Sequence, residues 1–248
     1  MIVFLLALAL FPADTQIDLP SFAQETHSGD NATVITVDPG SAAAMAWQGY
    51  RYQTGQGVTQ NFEKAADFYS SAAKLGHAAA RNNLAYLYQH GQGVAKNTRK
   101  AMDLYRLSAD QGSAVAMFNL GRIYHHGEGV TRDDLTAVKW YRKAAALGMP
   151  MAENNLGFIY WTGAGVKKDA SLAASWFRKA AARGYAPAQS NLAYQYLGGQ
   201  GLPRSGDKAR YWFKKAARSG HQPSEVVLEK LRAGLDLSSE LTIAASPQ

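Results

Sequence analysis

Gly55-Gln56-Gly57 recurs four more times, as Gly91-Gln92-Gly93, Gly127-Glu128-Gly129, Gly163-Ala164-Gly165 and Gly199-Gln200-Gly201. Every step is 36 residues, without slippage. A fixed period between about 20 and 50 residues marks stacked supersecondary units, each unable to bury its apolar face alone. Glycine suits a chain leaving a helix through left-handed backbone, where a β-carbon would clash.

Upstream of each turn lies an apolar stripe at four-residue spacing. It reads Ala80, Leu84, Tyr88 in the second copy, and Ala116, Leu120, Tyr124 in the third. That spacing follows one face of a helix. Downstream comes an apolar anchor (Val58, Val94, Val130, Val166, Leu202), then a residue that accepts from free backbone N–H groups: Asn61, Asn97, Asp133, Asp169 or Ser205. Five such N-caps in register predict a second helix in every unit. Its face carries Ala101, then Leu104-Tyr105, then Ser108-Ala109, with Ala173, Trp176-Phe177 and Ala180-Ala181 as a later copy. Offsets of 3, 4 and 7 mark these as packing positions. Gly76, Gly112, Gly148, Gly184 and Gly220 stop the second helix. The predicted fold is an all-α solenoid of about five helix-turn-helix repeats, over 41–76, 77–112, 113–148, 149–184 and 185–220. A capping helix is expected within 221–233, with Leu228 on its stripe.

The chain has 248 residues, 47% of them hydrophobic, and no cysteine. A disulfide framework, a thiolate metal site and a cysteine nucleophile are therefore excluded. The net charge of +7 allows an acidic polymer as partner. Arg142-Lys143, Arg178-Lys179 and Lys214-Lys215 align as a basic stripe where such a polymer could dock, with Arg183 and Arg218 nearby. No stacking aromatics of the single-strand-binding kind interleave it, so specific nucleic acid is not expected.

Ile2 to Phe11 is a continuous apolar run. It rises about 15 Å as helix, half a bilayer core, so no transmembrane span is expected. It suits the apolar region of a secretory signal over 1–23, with cleavage after Ala23, although no Lys or Arg precedes it. Export to a periplasmic or secreted location is the expectation, with the cytoplasm as the alternative. Residues 24–40 are expected to be a disordered lead-in and 234–248 a flexible tail.

The middle repeats resemble the Sel-one-like repeat family, a branch of the tetratricopeptide-like helical repeats. The residues that carry the resemblance are Ala152, Asn155-Leu156-Gly157, Tyr160, Gly163-x-Gly165-Val166, Ala173, Trp176-Phe177 and Ala180-Ala181. It covers Ser41 to Leu231, departing at Gln48 in the first copy and Leu202 in the last. The resemblance implies a right-handed superhelix and binding rather than catalysis. Family members act as adaptors in envelope biogenesis, signalling, protein quality control and host contact.

A curved repeat stack binds on its concave face. With Ala80, Leu84 and Tyr88 buried, the opposite side of the first helix would hold positions 82, 86 and 89 and their repeats. The candidate partner-binding residues are Tyr50, Tyr86, Arg122, Phe158 and Tyr194 in one column and Gln53, Gln89, His125 and Trp161 in another. Position 82 repeats as Ala46, Phe118, Asn154 and Ser190. Aromatics, Arg and amides that vary between repeats suit one irregular protein or extended peptide. Asn83, Asn119, Asn155 and Asn191 are expected to make structural hydrogen bonds to a neighbouring turn.

Catalytic readings are weaker. Ser71-x-x-Lys74 and Ser205-x-x-Lys208 match a serine β-lactamase nucleophile motif, but its companion Ser-Asp-Asn and Lys-Thr-Gly elements are absent. Cysteine-rich relatives described as β-lactam-binding make a cell-wall or β-lactam hydrolase the alternative to a non-enzymatic scaffold. His90 and His125-His126 precede their turns as exposed helix-end histidines, without the spacing of a metal site. No cofactor is expected.

Overall fold

The computed structural model describes residues 40–233. The expected signal segment, nearly all of the lead-in and the tail 234–248 lie outside the described residues.

Eleven helices and no strand occur among the described residues. They alternate as α1 (Ala42–Thr54), α2 (Phe62–Lys74), α3 (Ala78–His90), α4 (Thr98–Asp110), α5 (Ala114–His126), α6 (Asp134–Ala146), α7 (Pro150–Thr162), α8 (Ala170–Ala182), α9 (Ala186–Gly198), α10 (Gly206–Arg218) and α11 (Gln222–Arg232). This is an all-α tandem-repeat fold of the solenoid class. Odd-numbered α1 to α9 open a hairpin, even-numbered α2 to α10 close it, and α11 follows the last.

Each second helix begins where a cap is supplied. Asn61, Asn97, Asp133, Asp169 and Ser205 accept from the backbone N–H three residues on, at 2.9, 2.9, 3.0, 2.8 and 3.3 Å. One such cap contributes about 1 kcal/mol. The same five residues donate their backbone N–H to Tyr52, Tyr88, Tyr124, Tyr160 and Tyr196 carbonyls at 2.8–2.9 Å. Cap and turn thus hold the second helix to the end of the first.

The chain divides into two compact units. The first comprises residues up to Ile123 with 128–130; the second comprises 124–127 and residues from Thr131 on. In the first unit Tyr69, Ala72, Ala80, Leu84 and Leu87 belong to one buried cluster. In the second unit Phe177, Leu192, Phe213, Val227 and Leu228 do so, which places α11 on the core through the expected Leu228.

Two details differ from the sequence pattern. The fully buried follower of Ala80 and Leu84 is Leu87, repeated as Ile123 and Ile159, whereas Tyr88 is only half-buried. Two helical turns take 7.2 residues, so position i+7 returns to the starting face and i+8 overshoots it. The hairpin is also tighter than its large residues suggest. A β-carbon on Gly157 would stand 2.7 Å from the Phe177 ring. Glycine there is a seat for the aromatic of the second helix.

Candidate partner-binding face

The three candidate columns on the first helices have different fates. The residues at position 82 and its repeats, namely Ala46, Asn82, Phe118, Asn154 and Ser190, are all buried. Two of them form asparagine links between consecutive hairpins. In the first unit Asn119 Nδ2 donates to Asn82 Oδ1 at 3.1 Å, and Asn82 Nδ2 donates to Asn83 Oδ1 at 3.1 Å. In the second unit Asn191 Nδ2 donates to Asn154 Oδ1 at 3.0 Å. Asn119 and Asn191 thus bond the side chain of the preceding first helix and not a turn, Asn83 accepts from Asn82 on its own helix, and the buried Asn155 Nδ2 makes no protein hydrogen bond.

Gln53, Gln89 and His125 are buried as well. Gln53 Oε1 accepts from the Tyr69 hydroxyl at 2.7 Å, and Gln89 Oε1 from the Tyr105 hydroxyl at 2.9 Å. Gln89 Nε2 also donates to Glu128 Oε2 at 2.5 Å. His125 lies 2.6 Å through Nδ1 from Asp134 Oδ1, and Arg132 holds the other oxygen of Asp134 through Nε and Nη2 at 3.0 and 2.8 Å. The expectation of exposed helix-end histidines therefore holds for His126 and His90 but not for His125, which is 6% exposed. These three residues close their own hairpins. The reason is helical phase: position 89 faces the second helix of its own hairpin, meeting Tyr69 and Tyr105 in the first two and Asp134 in the third.

Tyr50 and Tyr194 are buried, Tyr194 with its ring edge-on to Phe213 at 4.9 Å. Four of the nine expected residues stay partly open: Tyr86, Arg122, Phe158 and Trp161. The structure groups them by unit. In the first, the Tyr86 and His90 rings are 4.2 Å apart, and Arg122 acts on the His90 charge together with Glu128 and Lys96. Partial burial is the largest influence on His90 and lowers its pKa; Glu128 opposes this, and Arg122 and Lys96 reinforce it. In the second, Phe158, Trp161 and Leu197 are half-buried against the same core, and Lys168 Nζ stands 5.4 Å over the Trp161 ring. One patch is thus cationic and aromatic, the other apolar and aromatic.

The serine-lysine pairs occupy ordinary helix positions. Ser71 Oγ donates to the Asp67 carbonyl at 3.0 Å, and Ser205 is the N-cap of α10. Among the described residues no three His, Asp or Glu side chains gather to hold a metal. No helix among them is long and apolar enough to cross a membrane.

Sequence reading missed one feature that was present in the repeats. Where the second helix carries tyrosine (Tyr69, Tyr105, Tyr141), the partner column is polar (Gln53, Gln89, His125); where it carries Phe177 or Phe213, the partner is Trp161 or Leu197. That internal covariation identifies the column as a core contact.

The model of the Sel1 repeat matches residues 41–77, 78–113, 114–149, 150–185 and 186–221. No curated protein matches the sequence. Among solved structures, a Sel1 repeat protein from Oxalobacter formigenes is 35% identical, with a TM-score of 0.72 over 84% of this chain and 81% of that one. The protein c5321 of uropathogenic Escherichia coli, described as a protective antigen displaying an SLR fold, is 33% identical, with a TM-score of 0.71 over 83% of this chain. This chain spans 43% of that protein's length. An immunity protein from Pseudomonas aeruginosa, Pa5087, is 25% identical, with a TM-score of 0.52 over 77% of this chain and 70% of that one. With five consecutive matches over α1 to α10, the chain belongs to the Sel1 repeat family.

Proposed function

We propose that this protein is a non-catalytic scaffold that binds a protein partner through the half-open residues on the first helices of its hairpins. The observation that carries the reading is the split between constant and variable positions. Ala80, Leu84 and their repeats build a uniform interior, while the half-open column changes from Tyr86 to Arg122 to Phe158. Uniform packing needs no such variation; recognition of an irregular partner does. Two structural neighbours are described as an immunity protein and a protective antigen. The scaffold works outside the cytoplasm, in the periplasm or secreted, on the strength of the apolar run Ile2 to Phe11.

A photo-crosslinking residue at Trp161 in the native host would identify the partner, with Arg178 on α8 as control site. The purified partner is then titrated against the wild type and the R122A/F158A/W161A variant. Affinity at least tenfold weaker is the expected result, since aromatic and Arg anchors each contribute about 1–2 kcal/mol or more. The variant should still fold, although its melting temperature falls because Phe158 and Trp161 pack against the core. Unaltered affinity removes this face from the account. Export is tested separately: an intact Met1 on protein from the host overturns it.

A further inference from the structure

The second helices of the two units share a backbone and differ in charge. On α6, α8 and α10 the pairs Arg142-Lys143, Arg178-Lys179 and Lys214-Lys215 are all exposed. No Asp or Glu occurs within 135–148, 170–184 or 208–220. The equivalent pairs on α2 and α4 are Ser70-Ser71 and Arg106-Leu107, with Asp67 and Asp103 one turn earlier. Residues 131–233 carry 17 Lys and Arg against 7 Asp and Glu, whereas 40–130 carry 9 against 5.

A helix C-terminus attracts cations, by about 0.3–1 kcal/mol each. That attraction acts equally on α2 and α4, so it does not explain the contrast. The fold tolerates neutral residues at these positions and an acid one turn earlier, and carries a cation at both members of the pair only in the second unit.

The chemistry of the row narrows its occupant. Lys143, Lys179 and Lys215 stand over the rings of Trp140, Trp176 and Trp212, with Nζ 4.4, 4.1 and 5.2 Å from the ring centres. A capped indole face is not offered to a nucleobase, and a half-buried one is not offered to lipid tails. What remains is positive charge recurring once per hairpin across α6, α8 and α10. We propose that this row docks an acidic polysaccharide, an extended chain bearing carboxylate or sulfate groups. The occupant is chosen by charge complementarity, and the surface is separate from the half-open column on the first helices.

The test uses the full chain with heparin as probe, titrated across salt concentrations. The variant K139Q/R178Q/K214Q removes one exposed cation from each helix and leaves the three lysine-tryptophan contacts. On α6 the exposed Lys139, one turn before the pair, is changed in place of Arg142, which donates to the Tyr160 hydroxyl. The control K74Q/R99Q/R106Q removes three cations from α2 and α4. The wild type should bind at about 50 mM salt and weaken linearly in a log–log plot, as counterion release requires. The row variant should bind about tenfold or more weakly, with a slope shallower by about two to three. The control and the charge-preserving variant K139R/R178K/K214R should each stay within about threefold of wild type. Three results overturn the proposal: no heparin binding by wild type, equal loss in the control, or tighter binding to phosphatidylglycerol vesicles or single-stranded DNA than to heparin.

Discussion

The buried hydroxyl of Tyr69 donates to the buried Oε1 of Gln53 at 2.7 Å, across the first hairpin. Asn83 is a second hydrogen-bonding neighbour of the hydroxyl. A Gln53→Leu change removes the Oε1 acceptor and leaves the hydroxyl with Asn83 alone, and a buried donor left poorly satisfied costs about 1–3 kcal/mol. The double change Q53L/Y69F removes both partners, which can be nearly neutral. The repeats already contain that outcome, in Leu197 opposite Phe213. Urea unfolding of the two single variants and the double should show a coupling of about 1–2 kcal/mol, with the double less damaged than Q53L. Simple additivity would show that the pair is not an energetic unit.

The second glycine of each turn has two reasons to be glycine, and they separate by position. Gly57 and Gly93 have φ of +69° and +65°. A β-carbon on Gly93 would lie 2.2 Å from the Phe62 backbone carbonyl carbon of the preceding hairpin; on Gly57 it would meet only the flexible end of Arg51. Gly57→Ala should therefore cost about 1 kcal/mol, the penalty of left-handed backbone alone. Gly93→Ala adds a clash with main chain that cannot rotate away, and should cost about 3 kcal/mol or more. Thermal unfolding distinguishes them, and equal losses would sever the turn from the stacking of hairpins.

Glu153 is a buried carboxylate, with a side chain 3% exposed, and Arg183 Nε donates to its Oε1 at 3.3 Å. Its other oxygen makes no protein hydrogen bond. Removing Arg183 leaves a buried charge without a partner, whereas Glu153→Gln removes the charge and keeps the shape. Since Arg183 is half-exposed, the expected loss for Arg183→Ala is about 2 kcal/mol, below the 3–5 kcal/mol of a fully buried pair. Glu153→Gln should cost about 1 kcal/mol or less, the net value of an ordinary hydrogen bond. Chemical denaturation at neutral pH compares the two. A larger loss for the amide than for the truncated arginine would contradict this account.

Much of the fold was legible because repetition multiplies weak signals. One Asn before an apolar run is a poor helix start; Asn61, Asn97, Asp133, Asp169 and Ser205 in register leave little choice, and all five cap. The candidate face was less legible because it depends on helical phase. An error of one residue is 100° of rotation, enough to turn Gln89 from core to surface. His125 shows a second limit. Its burial rests on Asp134 at the start of the next helix, and the turn between them must be folded before the two can meet.

His77 caps α3 through Nδ1, which accepts from the Ala80 N–H at 3.2 Å. Protonation at Nδ1 would abolish the acceptor. Burial also holds the pKa values of His77 and His221 below the ordinary histidine value, as it does that of His90. A base with a lowered folded-state pKa is protonated first in the unfolded chain. Stability from these groups is then complete above the unfolded pKa of about 6.5 and declines as pH falls through and below it. The decline levels off once the folded-state values are passed. Asparagine is an equally good cap that does not titrate in this range. His77→Asn should therefore match the wild-type melting temperature near pH 8 and lose less on acidification to about pH 5. Parallel pH profiles for the two proteins would show that the cap is not part of the acid response.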